Sequence, residues 1–174
     1  DLNSLYPHLM MQYNLSPETL VPFDTVPESL RSQTSRINII EDIIEKTVDT
    51  SGLSDYKLTV CPNHEFFRTD VRGFLPEILE DLYNRRKTSK QKMLECQQKL
   101  QTAKGEDKQK YLNLISKHNN DQLARKVQLN SAYGALGNQY FRFYDLRIAE
   151  AVTKAGQLSI RWIESKVNKY LNTL

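Results

Sequence analysis

The sequence predicts an α+β fold in which two long helices form a hairpin beside a few antiparallel strands. Residues 76–133 show helical spacing that is interrupted only by a turn at 104–107. Residues 57–75 have the turn chemistry of a β-hairpin, and residues 145–171 carry a helical apolar face. With 174 residues, 39% of them hydrophobic and 26% charged, the chain is large enough for one folded core. This composition excludes disordered, collagen-like and disulfide-scaffold classes.

The first residues are predicted to leave a strand and enter a helix. Asp1 to Tyr6 is expected to end a buried strand, and Pro7 suits the first turn of a helix. Leu9, Met10 and Tyr13 continue at helical spacing. Asp1 is therefore a lone carboxylate at a strand end, where aspartate is also common for purely structural reasons.

The next segments are predicted to be short. Three prolines make residues 15–36 an irregular connection, and the isoleucines of 37–48 predict a short helix. In the predicted β-hairpin of residues 57–75, the turn is at Pro62-Asn63.

The two long helices are expected to project from the rest of the molecule. Pro76 opens the first, and Asp107 is the expected N-cap of the second. Each has about 27 residues, or about 40 Å at 1.5 Å per residue. The aromatic run Tyr140–Tyr144 is predicted to be a strand, and the helix of residues 145–171 is expected to pack on the strands.

Positive charge is concentrated in the predicted helical hairpin. Residues 76–130 hold 12 Lys/Arg and 7 Asp/Glu, although the whole chain has a net charge of only +3. A basic stretch is consistent with phosphate contact, and a solvated helix face explains the same charge.

Five polar or aromatic residues of the hairpin fall on two helical faces. Lys126, Asn130 and Tyr133 share one face, and Arg86 and Lys90 share a face of the other helix. A cation, an amide and an aromatic ring in a row suit a phosphate, a polar contact and a base. The two faces together would line one anion-binding surface, with two solvated faces as the alternative interpretation.

Other chemistry is not indicated by spacing. The sequence has no DxD pair, HExxH or P-loop, so metal catalysis does not follow from the residue pattern alone. Cys61 and Cys96 have no zinc spacing and are expected to be reduced thiols. No apolar run approaches the length of a membrane-spanning helix. The chain starts with Asp1 and no signal-peptide pattern follows, so we expect a piece of a larger protein.

Two motifs in this order resemble those of family B DNA polymerases. Asp1–Pro7 (DLNSLYP) resembles the first palm motif, DxxSLYP, and Lys126–Gly134 (KVQLNSAYG) resembles the fingers motif, KxxxNSxYG. Gly73–Pro76 followed by Arg86 and Lys90 resembles the opening of the fingers helix.

The resemblance is greatest to the T4-like phage branch of the family, above all over residues 134–147 and 157–171. It implies a partial palm with few antiparallel strands and a protruding fingers hairpin of two antiparallel helices. The implied domains are the first part of the palm at 1–74, the fingers at 75–134 and a truncated second part of the palm at 135–174.

The first motif implies metal and nucleotide contacts. Asp1 would bind both catalytic Mg²⁺ ions, and the backbone carbonyl of Leu2 would complete a metal shell. The backbone N–H groups of Ser4 and Leu5 would hold the incoming triphosphate. Tyr6 would lie under the deoxyribose, where its ring rejects a 2′-hydroxyl.

The fingers residues imply further contacts. Three cations would hold the β- and γ-phosphates: Arg86, Lys90 and Lys126. Asn130 would be a polar partner on the same face, and Tyr133 and Gly134 would border the nascent base pair.

The implied activity is template-directed deoxynucleotidyl transfer by a two-metal DNA-directed DNA polymerase. The implied partners are dNTP, primer-template DNA, the remaining exonuclease, palm and thumb, and a sliding clamp, in a viral protein of the host cytoplasm. The second palm motif, YGDTDS, is absent from the 174 residues and would follow Leu174. The chain alone is therefore expected to be inactive.

Two rival interpretations remain. A non-enzymatic nucleic-acid-binding helical module would use the basic hairpin, but it calls for a sustained apolar seam that the two helices lack. A reverse-transcriptase-like palm is disfavoured, because that class does not use KxxxNSxYG on a helical arm.

Overall fold

The computed structural model describes residues 4–35 and 39–173, and it combines helices with one small sheet, as the α+β prediction requires. Single 3₁₀ turns lie at Phe23–Thr25 and Ser51–Leu53. The elements in chain order are α1 (Leu5–Gln12), β1 (Leu20–Val21), α2 (Glu28–Thr34), α3 (Ile39–Glu45), β2 (Leu58–Val60), β3 (Phe66–Arg68), α4 (Phe74–Leu100), α5 (Glu106–Leu136) and α6 (Leu146–Leu171).

The sheet is antiparallel with the order β1-β3-β2. The predicted β-hairpin is confirmed as β2 and β3, whereas β1 and α2 lie in a stretch that was predicted to be irregular. Phe66 and Phe67 are adjacent on β3, so their side chains point to opposite faces. Phe67 packs in the main core, and Phe66 packs in a second cluster with Val26 and Leu30. The central strand therefore supplies both apolar layers.

The main core lies where α1 meets the base of α4 and α5 and the first half of α6. Met10, Leu79, Leu129 and Ile148 are fully buried there. The helix α6 packs mainly on α1, α3 and α5, and its buried residues share the main core with Phe67 of β3.

The helices α4 and α5 have 27 and 31 residues and pack along each other, as predicted. No residue between Ser89 and Leu129 is buried, so the distal half of the pair is a solvated arm. The expected N-cap at Asp107 is wrong. Gly105 occupies that position with φ 58°, which leaves Asp107 in the first turn, where its charge suits the helix dipole.

Two strand predictions are also wrong. Tyr6 lies inside α1, so no strand extends to it. Residues 140–144 form turns, because Phe141 N–H donates to the Asn138 carbonyl and Tyr144 N–H donates to the Phe141 carbonyl. The rings of Phe141 and Phe143 pack on each other, and Phe143 packs on the base of α4, with the Phe143 and Phe74 ring centres 4.8 Å apart.

Candidate anion-binding site

A cleft of about 450 Å³ opens between α1, the hairpin and α6. It brings together residues that are far apart in the sequence, because α1 lies against the base of the hairpin and against α6. Its lining residues are Ser4, Leu5, Tyr6 and Pro7 from the start of α1, Arg86, Lys126 and Asn130 from the hairpin, and Thr153, Gly156, Gln157 and Ile160 from α6.

The N-terminus of α1 lies at this cleft, and its first N–H groups have no acceptor among the described residues. Ser4 is the N-cap residue, with φ 60° and ψ 40°, and its hydroxyl does not cap the helix. The first N–H groups of a helix have no acceptor within the helix and carry its partial positive charge. Pro7 has no N–H to satisfy, and His8 closes the first turn onto the Ser4 carbonyl. The arrangement favours an anion at this end.

Arg86 brings a cation to the same end of α1. Its Nη1 donates to the Ser4 Oγ at 3.1 Å, which ties the hairpin to the N-cap residue. Its Nε is buried and has no hydrogen-bond partner among the described residues. A buried N–H without an acceptor costs free energy that an anion oxygen in the cleft would recover.

Lys126 and Asn130 extend the polar lining along α5. Both side chains are exposed and form no side-chain hydrogen bond or ion pair with the described residues. No described lining residue is a carboxylate, so the described part of the lining carries a positive charge. Lys90 lies outside it, in an adjoining pocket with Tyr83, Arg86 and Lys87. Of the four polar hairpin residues predicted to line one surface, the structure thus brings Arg86, Lys126 and Asn130 into one cleft and places Lys90 beside it.

Two tyrosines stack at the edge of the cleft. The rings of Tyr6 and Tyr133 have their centres 4.7 Å apart at an angle of 54°. Partial burial, and then the neighbouring Tyr6, raise the pKa of Tyr133, so its hydroxyl is neutral at physiological pH. Two aromatic rings in contact at this distance form a rigid apolar surface.

Sequence reasoning missed the contribution of α6. A Cβ on Gly156 would lie 3.1 Å from Tyr6 Cε1, so the glycine allows that ring to approach the helix. Thr153 and Ile160 line the cleft one turn before and one turn after this glycine, and Gln157 lines it as the next residue. A glycine inside a helix interior is unfavourable relative to alanine and therefore has a packing or functional reason, which is the signal that could have found it.

Three other predicted residues stand apart. Asp1 and Leu2 lie outside the described residues. Gly134 is exposed near the end of α5, and a Cβ there would have no atom within 4 Å.

The described residues do not form a metal site by themselves. Over 4–35 and 39–173, no three His, Cys, Asp or Glu side chains are grouped in a way that could hold an ion. The described cleft lining offers hydroxyl, amide and cationic groups, which do not fit a divalent cation. In the same part of the chain, no helix is both long and apolar enough to cross a membrane.

Comparison with known proteins identifies related sequences along the whole chain. Residues 1–174 match the family model of DNA polymerase family B. The chain is 32% identical to the DNA-directed DNA polymerase of Escherichia phage RB69 and 30% identical to that of Enterobacteria phage T4, in each case over 99% of this chain and 22% of the relative. It is 32% identical to the DNA polymerase delta catalytic subunit of Oryza sativa subsp. japonica, over 100% of this chain and 13% of that protein. The chain thus spans about a fifth of the length of the phage relatives.

Proposed function

This chain belongs to DNA polymerase family B, and we propose that it serves a DNA-directed DNA polymerase by binding the triphosphate of the incoming deoxynucleotide in the cleft. The observation that carries the proposal is the meeting of the α1 N-terminus with Arg86 and Lys126. These groups come from sequence positions about 40 or more residues apart, and together they present N–H donors and two positive charges with no described carboxylate beside them.

Such a site suits phosphoryl transfer, which depends on positioning and charge neutralisation more than on covalent chemistry by the protein. The N–H groups at Leu5 and Tyr6 are fixed by the helix, so they need no rearrangement to accept phosphate oxygens. Arg86 would contribute its free Nε, and Lys126 and Lys90 would add charge along the triphosphate.

The aromatic pair suits the other end of the nucleotide. Tyr6, held by Gly156 and Tyr133, would lie under the deoxyribose and exclude a 2′-hydroxyl by contact. Tyr133 and Gly134 would border the nascent base pair, where the exposed glycine leaves room for it.

We propose that residues 75–134 are the fingers and that residues 1–74 and 135–174 are parts of the palm. The arm is buried only near its base, so a rotation there would carry Arg86 and Lys126 away from the cleft that they line, and the reverse rotation would close it. A correct base pair would favour this closed arrangement.

Asp1 and the Leu2 carbonyl are the proposed ligands of Mg²⁺, at the start of the motif that continues into Ser4. When bound, the ions would neutralise charge on the reacting phosphates. The sequence contains the first palm motif but not YGDTDS, the motif that would carry the second carboxylate. The chain alone is therefore predicted not to extend primers. The proposed partners are dNTP, primer-template DNA, the remaining domains of a longer protein and a sliding clamp.

Arg85 and Arg86 lie in different pockets of the hairpin, so a comparison of their variants tests the proposed nucleotide site. Arg86 lies in the cleft, whereas Arg85 pairs with Asp81 at 2.8 Å and lines a separate basic groove with Lys92 and Lys117. In a full-length polymerase that carries this chain, Arg86→Ala is expected to raise the KM for dNTP about 10- to 100-fold, the effect of losing a charged hydrogen-bonding partner. Arg85→Ala is expected to leave that KM within about twofold.

The same pair of variants separates the polymerase from the non-enzymatic module. A module that binds nucleic acid through a general basic surface would lose DNA affinity equally in both variants. Equal effects of Arg85→Ala and Arg86→Ala on nucleotide KM, or no effect of either, would contradict the proposed site.

A further inference from the structure

The N-terminus of α4 is capped by side chains from a distant loop. This capping loop, residues Asn14 to Glu18, connects α1 to β1. Gly73 N–H donates to Asn14 Oδ1 at 2.9 Å, and Phe74 N–H donates to Glu18 Oε1 at 2.5 Å. The cap is thus supplied by residues that lie 56 or more positions earlier in the sequence.

The remaining backbone groups of this first turn are also accounted for. Leu75 N–H points at the Ser16 Oγ at 3.4 Å, a long contact, and Pro76 has no N–H. Glu77 N–H donates to the Gly73 carbonyl at 3.1 Å, which closes the turn. Helix ends usually leave several N–H groups to water, so a complete set of protein acceptors is unusual for a helix start.

The capping loop is itself held rigidly. Asn14 has φ 56°, and its amide donates to the carbonyls of Arg68 and Val71 at 2.6 and 2.7 Å. The Ser16 hydroxyl donates to Glu18 Oε2 at 2.6 Å, which leaves its lone pairs facing α4. A Cβ on Gly73 would lie 2.6 Å from Ser16 Cβ, so the two backbones approach as closely as a glycine permits.

This attachment controls where the cations of the hairpin lie. Arg86 is 13 residues beyond Gly73, or about 20 Å along the helix from the capped turn. A tilt of α4 by about 10° at its base would move Arg86 by about 3 Å, which is enough to break its hydrogen bond to Ser4. Since Ser4 and the capping loop lie at the two ends of α1, that helix fixes the hairpin at two points.

We propose that Asn14, Ser16 and Glu18 are positioning residues for the polymerase reaction. They hold the pivot of α4 against the end of α1, and so they set the distance between Arg86 and the free N–H groups at the start of α1. None of the three lines the cleft. The inference rests on the proposed function, because it concerns how the hairpin cations meet the nucleotide.

The test uses three variants in a full-length polymerase that carries this chain. Ser16→Ala and Glu18→Ala remove one acceptor each, and Glu18→Gln keeps an oxygen that accepts from Phe74 N–H. Ser32→Ala is the matched control, since its hydroxyl bonds only to the Ser29 carbonyl within α2. The measurements are the KM for dNTP, kcat, the Kd for primer-template DNA, and hydrogen exchange of the peptide that contains residues 73–77.

Both alanine variants are expected to speed exchange at residues 73–77 and to raise the KM for dNTP about three- to tenfold, the size of one lost capping interaction. The DNA Kd is expected to stay within about twofold, and Glu18→Gln is expected to recover most of the wild-type KM. Faster exchange with an unchanged KM would overturn the proposal, as would equal losses in KM, kcat and DNA affinity. A wild-type protein that extends no primer would overturn the proposed function as well. An active enzyme whose KM for dNTP is unchanged by the cap variants would overturn only the positioning role.

Discussion

At the scale of single residues, the cleft depends on the contact between Arg86 and Ser4. The guanidinium reaches the N-cap hydroxyl through Nη1 and keeps a buried Nε without a described partner. Lysine has the same charge but lacks the planar guanidinium, which can donate from Nη1 to Ser4 and from Nε to a ligand at the same time. Charge alone therefore does not reproduce the geometry of this site.

Arg86→Lys is expected to raise the KM for dNTP in the full-length enzyme about three- to tenfold, less than Arg86→Ala. The retained charge still attracts phosphate, whereas the hydrogen bonds of the fork are lost. Steady-state primer extension at varied dNTP measures the difference. A lysine variant with the wild-type KM would show that only charge matters at this position.

The two cysteines are expected to differ in reactivity and in their effect on stability at alkaline pH. Cys61 is fully buried, whereas Cys96 is partly exposed on α4. Burial, and then the nearby Glu65, raise the pKa of Cys61 far above its ordinary value of 9.0. The unfolded chain therefore releases a proton above pH 9 that the folded chain keeps.

The free energy of unfolding of this chain is thus expected to be insensitive to Cys61 below pH 9 and to fall by up to about 1.4 kcal/mol per pH unit as the pH rises above it. Urea titrations at pH 8, 9 and 10 measure the slope. A thiol reagent is expected to modify Cys96 in the folded chain and Cys61 only in denaturant. Equal reaction rates of the two thiols would contradict the burial of Cys61.

Residue spacing was enough to predict some residues of the cleft lining and not others. Arg86, Lys126 and Asn130 are predictable because a helix places every third or fourth residue on one face. Gly156 is not, because its role comes from an approach to Tyr6, which is 150 positions earlier. The cap provided by Ser16 and Glu18 was missed for the same reason: the hydrogen bonds join a loop to a helix over more than 50 residues.

At the scale of elements, the long helices were predictable and the short connections were not. The 3.6-residue period over α4 and α5 is repeated many times, so small local errors do not change the prediction. The aromatic run at 140–144 was wrongly predicted as a strand, because Phe141 and Phe143 pack on each other and Phe143 packs on Phe74 within a turn. Strand propensity depends on such neighbours, which a single sequence does not reveal.

Two glycines at the ends of the hairpin helices are expected to respond in opposite ways to alanine. Gly73→Ala would place a Cβ 2.6 Å from Ser16 Cβ, so we expect the free energy of unfolding to fall by about 1–3 kcal/mol. Gly134→Ala meets no atom within 4 Å inside a helix, so we expect a gain of about 0.5–1 kcal/mol.

Urea denaturation of the two variants measures both shifts. If Gly134 borders the nascent base pair, its alanine variant will also slow primer extension in the full-length enzyme while the folded state is more stable. A Gly134→Ala enzyme with unchanged kinetics would remove the role proposed for this glycine.

At the scale of the whole molecule, α6 has two different halves. Its first half is buried among α1, α3 and α5, from Ile148 to Leu158. Its second half follows the apolar pattern found in the sequence but leaves that face exposed, including the large side chains of Trp162, Ile163 and Val167. We expect an exposed apolar face of this length on one helix to contact another protein surface.

The chain alone is therefore expected to self-associate through α6. Sedimentation velocity over a range of concentrations measures this, and Trp162, the single tryptophan of the sequence, reports burial by its fluorescence. Ile163→Lys with Val167→Lys is expected to abolish the association and leave the helical signal unchanged, since both residues are exposed. A wild-type chain that stays monomeric at high concentration would contradict the prediction.

The unbroken course of α5 limits how this hairpin can vary between related sequences. Lys126, Asn130 and Tyr133 lie on one continuous helix, so inserting a single residue among them would turn the later ones by about 100° away from the cleft. The distal half of the arm has no buried residue, and lengthening both helices there leaves the cleft unchanged. Natural insertions are thus expected at the tip of the hairpin, and the segment from Lys126 to Gly134 is expected to keep its length.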